Sequence, residues 1–171
     1  MIRYMILSRL AKEEHRLGES VEYVRYILRV SLRAFFRFSK IFSIAEYRDE
    51  LPADAYHVAR IVAARSEDCG TCLQIEINLA KASGVSSALL QAVINRNLDT
   101  LSPPISDVYR FVEMVVTSAE EDDSLRQNIV TRYGERGLVE LALAIGTSRF
   151  FPIVKRTLGY ATQCANVHIR T

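Results

Sequence analysis

Glycine and proline are scarce. They number 7 and 4 among the 171 residues, roughly half of average usage, and a many-stranded sandwich or barrel needs more turn residues than that. Long uncharged runs are missing too: no stretch approaches the ~18 apolar residues of a spanning helix, so no membrane span is expected. The uncharged run Tyr4 to Ser8 is too short for the core of a secretory signal, and no small-residue cleavage site follows it; the expected location is cytoplasmic. An excess of one charge is lacking, since 22 Lys+Arg against 20 Asp+Glu leave +2, which gives no field to recruit nucleic acid. Cysteine is limited to Cys69, Cys72 and Cys164, an odd number with one close pair, unlike a secreted disulfide scaffold.

What is present is the composition of a globular chain, 49% hydrophobic and 25% charged, long enough for one well-filled domain over 1–171. The apolar spacing is helical. From Ser20 to Ser43, Val24, Leu28, Phe35, Phe38 and Phe42 fall on one side of a helix, and Arg25, Arg29, Arg33, Arg37 and Lys40 on the other, which predicts one long amphipathic helix with a solvated basic face. Leu51-Pro52-Ala53-Asp54 opens a second helix, running to about Ser66 and carrying His57. Asp68 is a capping residue for a third, ending at Ser83-Gly84 and carrying Cys69, Cys72 and Glu76. Further helices are expected over Ser86 to Asn95, about Ile105 to Ser118 and about Ser124 to Tyr133. Glu120 to Asp123 is expected as a surface turn, Gly134 to Gly137 as a tight turn, and a last helix from Leu138 should end or kink at Pro152. The fold class is all-α.

The chemistry concentrates at Ser66-Glu67-Asp68-Cys69-Gly70-Thr71-Cys72. Two thiols three residues apart share a helix face, and the partial positive charge of a first turn stabilises a thiolate. Such a pair can open and close a disulfide. Gln74, Asn78 and Lys81 mark the polar side of the same helix, and Glu76 lies almost opposite them, with Cys69, Cys72, Leu73, Leu79 and Ala80. A carboxylate aimed into an apolar face needs a compensating partner or a chemical role. It could pair with an arginine, join both thiols and a histidine as a metal ligand, or take part in catalysis. A second ligand pair with zinc-finger spacing is lacking, so no metal is expected. Cys164 is expected as a free thiol, and nothing around His15 or His168 suggests a ligand set.

Residues 51 to about 115, and more loosely the stretch Tyr133 to Leu141, resemble the alkylhydroperoxidase D-like (carboxymuconolactone decarboxylase) family. The likeness lies in Cys69-Gly70-Thr71-Cys72 at a helix start, an acid-base residue four positions later and a helix ending at glycine. It implies an alkylhydroperoxidase D-like helical bundle, a homo-oligomer and, in the redox branch, a cysteine pair that reduces peroxides or partner disulfides with an external dithiol as reductant. In that branch a glutamate stands twelve residues before the first cysteine and a histidine four after the second. Here those positions hold His57 and Glu76, with acid and imidazole exchanged. A Cys69–Cys72–Glu76–His57 relay is therefore expected, with a protonated His57 offsetting the carboxylate. Cys69 is expected to be the more exposed thiol and Cys72 the relay-linked one. The function implied is a thiol-disulfide oxidoreductase or weak peroxidase without a cofactor. The alternatives are a non-catalytic helical oligomer binding a small hydrophobic ligand or partner, and a member of the decarboxylase branch.

Overall fold

The computed structural model describes residues 2–119 and 122–161, and among these every regular element is a helix. The all-α class follows. Cys164 and His168 lie outside the described residues, as do Glu120 and Glu121 of the expected surface turn; Asp122 is exposed, and its carboxylate accepts the Ser124 N–H at 2.9 Å to cap the last helix.

The centre of the fold is α5, Ala53–Arg65, in which every residue from Ala55 to Ala64 is buried. Ala55, Ala59, Ala63 and Ala64 present little side-chain bulk, which lets α6 (Gly70–Ala82), α8 (Pro103–Thr117) and α9 (Asp123–Thr157) pack around it. A helix enclosed on all sides must also enclose its polar residues. His57 and Arg60 are accordingly buried in its middle.

The stretch expected as one long helix is three: α2 (Glu22–Val30), α3 (Leu32–Phe38) and α4 (Ile41–Ala45). Ser31 makes the break, with extended backbone at φ −153° and ψ 110° and its Oγ accepting the Ala34 N–H at 3.1 Å. The serine hydroxyl offers the backbone an alternative to continued helix, and apolar periodicity alone does not register it. The N-terminal helix α1, Ile2–Leu17, is tied to α2 by a two-armed ion pair between Arg25 and Glu14. Asn78 of α6 donates to the Leu17 carbonyl at 2.7 Å, where Gly18 turns the chain at φ 71° and a β-carbon would lie 2.8 Å from the Asn78 amide nitrogen. A second apolar cluster, Val21, Tyr23, Val24, Leu28 and Phe35, packs on Val154 and Leu158 at the end of α9. Helices α1 to α4 thereby cover one side of α6 and the end of α9.

Two other expectations change. The Gly134–Gly137 turn reduces to a kink at Gly134 alone, whose φ 70° and ψ 175° suit glycine, and the helix resumes at once. Pro152 neither ends nor visibly breaks α9, which runs on to Thr157. Stacking of Phe150 on Phe38 and Phe151 on Phe42 fixes the turn before the proline, and Lys155 and Arg156 are bonded to Thr71 and Glu67 after it. By length and composition α9 could cross a bilayer, but Ile129, Leu141, Ala144 and Ile145 are buried in the bundle together with a fully buried Glu140, while Val139 and Ile153 are exposed. Glu140 accepts the N–H groups of Asp49, Glu50 and Leu51 at 2.9, 2.7 and 3.0 Å, which fixes the entry to α5.

Candidate active site

Helix α6 begins one residue later than expected. Asp68 turns the chain at φ 50°, and Cys69 takes the N-cap position at φ −119° and ψ 94°. This puts the Cys69 sulfur at the positive end of the helix and Cys72 in the first turn. The preceding loop is clamped to α9, since Arg149 Nε donates to Glu67 Oε1 at 2.6 Å and Arg156 bonds both the Glu67 carbonyl and its carboxylate. Both cysteines are reduced and buried.

The two thiols differ sharply. Cys69 is held down at about 5 by a hydrogen bond from the Cys72 thiol, working against burial and aided by Thr71, the Cys72 amide and the Lys155 charge. Cys72 is pushed far above the usual thiol range by the same hydrogen bond, by burial and by the negative charge of Cys69 and Glu76. The pair thus shares one proton at neutral pH, carried on Cys72, and titrates as a unit. Thr71 Oγ1 lies 3.7 Å from Cys69 Sγ and accepts a hydrogen bond from Lys155 Nζ.

Exposure reverses the expected order. Cys69 is 1% exposed and Cys72 8%, and Cys72 lines a partly open cavity of about 550 Å³ between α1, α2, α4, α5, α6 and α9. The N-cap sulfur is enclosed because the Glu67 clamp and Lys155 draw α9 over it, which the helix position alone does not reveal. The cavity walls are largely apolar, with Leu10, Val24, Phe42, Leu79 and Phe151 among them; Tyr23, His57, Glu76, Ser148 and Lys155 also line it. Among the described residues, the buried His57 Nδ1 and Ser148 Oγ have no hydrogen-bond partner.

Glu76 does point inward, as helical phase requires, but its partner is Arg60. Arg60 Nε and Nη2 donate to its two carboxylate oxygens at 2.7 and 2.8 Å, and Nη1 donates to the Ala45 carbonyl at 2.7 Å and to Tyr56 Oη at 3.2 Å. The Arg60 guanidinium is thereby held above its usual range against the cost of burial. His57 lies against the Tyr56 ring at 5.1 Å, without a hydrogen bond from Nδ1. Burial, then Arg60 and Arg48, lower its imidazole to about 4, so it is neutral at pH 7. The positive charge expected from His57 comes from Arg60. Of the four expected residues His57, Cys72 and Glu76 line one cavity and Cys69 does not; they stand as a thiol pair, an ion-paired carboxylate and a neutral imidazole, and among the described residues no chain of hydrogen bonds runs from Glu76 to His57.

No family model, no curated protein and no solved structure matches this chain. What the site can do is set by its own chemistry. Among the described residues no three His, Cys, Asp or Glu side chains converge as a metal site; the redox-capable groups are the two thiols. Arg60 and Lys155 are the functional candidates that sequence reasoning passed over. Arg60 carried a signal, a lone charge inside the run Val58-Ala59 to Ile61-Val62-Ala63-Ala64, which marks a buried cation needing an anion. Lys155 carried a weaker one, three residues after Pro152 between Val154 and Arg156.

Proposed function

We propose that the protein is a thiol-disulfide oxidoreductase with peroxidase activity, working through Cys69 and Cys72 in a bundle of the alkylhydroperoxidase D-like kind. One observation carries this reading: two thiols three residues apart stand at a helix N-terminus, and one of them faces a largely apolar cavity. A peroxide entering the cavity meets Cys72. Its sulfur attacks the terminal peroxide oxygen while its proton passes to the Cys69 thiolate, giving a Cys72 sulfenic acid and an alkoxide, which takes the Cys69 proton to leave as an alcohol. The restored Cys69 thiolate attacks the sulfenic sulfur and expels hydroxide, forming the Cys69–Cys72 disulfide. An external dithiol reduces this disulfide and becomes a disulfide itself. Arg60 pairs with both oxygens of Glu76 and so offsets the carboxylate charge that Cys72 feels. A reducing compartment such as the cytoplasm suits a pair of this kind.

The test is peroxide consumption with an excess of dithiothreitol by the parent, Cys69→Ser and Cys72→Ser proteins. Turnover by the parent alone supports the reading; a parent with no turnover of peroxide or of a small disulfide contradicts it. The cavity volume favours a second reading, non-catalytic binding of a small hydrophobic molecule, and that reading predicts ligand binding unaffected by Cys69→Ser.

A further inference from the structure

Lys155 is 6% exposed, and its hydrogen-bond partner is the neutral Thr71 hydroxyl. A buried ammonium without a counter-charge costs several kcal/mol. The nearby carboxylates are committed elsewhere: Glu67 to Arg149 and Arg156, Glu76 to Arg60. Around the thiols stand Cys72 and Glu76 from α6 itself, Tyr23 from α2, His57 and Arg60 from α5, the Glu67 cluster from the preceding loop and Lys155 from α9. Glu76 with Arg60 is neutral as a pair, His57 is neutral, and burial and the adjacent thiols hold the Tyr23 phenol protonated. Among the described residues, the buried sulfur of Cys69 is the group whose negative charge Lys155 favours. Thr71 has a single hydroxyl proton. Its oxygen accepts from Lys155 and lies 3.7 Å from Cys69 Sγ; a thiolate there can only accept, so the hydroxyl proton is the one it would receive.

We propose that Lys155, acting through the Thr71 hydroxyl, is the positioning residue that holds Cys69 as a thiolate. The assignment deepens the thiol-disulfide reading and rests on it. Ionisation of Cys69 releases its proton to solvent and creates an S⁻ that accepts from Thr71, whose oxygen remains bound to the ammonium; no redox partner enters this step. Forming the Cys69–Cys72 disulfide removes the anion and strands the ammonium again, so Lys155 favours the reduced pair, as any group that stabilises a thiolate does.

The experiment compares the full-length parent with Lys155→Met, Lys155→Arg, Thr71→Val and Thr71→Ser by the pH dependence of iodoacetamide reaction at Cys69, followed by peptide mass, and by equilibration with glutathione. The parent should titrate near pH 5. Lys155→Met and Thr71→Val should each raise that midpoint by about one unit or more and raise the equilibrium constant for disulfide formation about tenfold, a ~30 mV more negative potential. Lys155→Arg and Thr71→Ser should restore most of both. If Lys155→Met does not fold, the near-isosteric Thr71→Val decides. Met and Val variants that titrate like the parent would overturn the assignment even if the disulfide cycles. A parent with an acidic Cys69 that Lys155→Met abolishes, but with no reversible disulfide, would uphold Lys155 and overturn the oxidoreductase reading.

Discussion

Replacing Arg60 by Met strips the Glu76 carboxylate of both its charge-assisted hydrogen bonds, at 2.7 and 2.8 Å, while leaving it in the wall between α5 and α6. Breaking a buried ion pair from one side costs about 3–5 kcal/mol, because the remaining charge is desolvated without compensation. For a chain of this size each kcal/mol moves Tm by roughly 2–4 °C, so Arg60→Met should melt on the order of 6–20 °C below the parent. Glu76→Leu should fall in the same range, since it strands the guanidinium. The double variant is the informative one: it removes both charges together, and the Ala45 carbonyl keeps the Tyr56 hydroxyl as donor. It should lose less than the sum of the singles, by about 2 kcal/mol or more, in urea unfolding followed by circular dichroism at pH 7. Additivity within ~0.5 kcal/mol would refute the pairing on which the neutral site depends.

His57, lowered to about 4 from an ordinary 6.5, binds its proton more readily unfolded than folded. Stability should therefore be full above pH 6.5, fall on the order of 2–3 kcal/mol between pH 6.5 and 4, and level off below; in His57→Gln the urea midpoint should lose most of this slope. The same variant should leave the Cys69 titration unmoved, because a neutral imidazole contributes no charge. Glu140→Ala should cost about 2–4 kcal/mol in urea unfolding by orphaning the N–H groups of residues 49–51. In the parent the contribution of that carboxylate, held below its usual range despite burial, is present above pH 4.5 and lost as pH falls through its folded value. Phe36, Phe42, Ile44 and Ile153 expose apolar surface, and light scattering at micromolar concentration should find a homo-oligomer; a clean 19.4 kDa species would count against it.

Local rules carried far into this fold. Ser86 accepts the Leu89 N–H as an N-cap at 3.2 Å, Pro103 opens α8, and Gly84 closes the turn after α6 at φ 87°, each a feature of a few neighbouring residues. The inward direction of Glu76 was likewise legible, because helical phase is local. Its partner was not, since Arg60 reaches it across a helix-helix contact that no periodicity encodes. The enclosure of Cys69 depends on Lys155, Arg149 and Arg156, which lie on α9 at the far end of the chain. Ser31 shows the limit from the other side: a single hydroxyl bond redirects a stretch whose apolar spacing reads as unbroken helix.

A single reversible disulfide between Cys69 and Cys72 underlies the proposed chemistry, and mass spectrometry reads it directly. Intact mass and peptide maps are taken after complete reduction, after one equivalent of peroxide, and after renewed dithiol treatment. The expected result is loss of two hydrogens on oxidation, a Cys69–Cys72 crosslink with Cys164 still alkylatable, and full recovery of the reduced mass. Unchanged mass, a crosslink through Cys164, or oxygen added to Cys72 that no dithiol removes would contradict it.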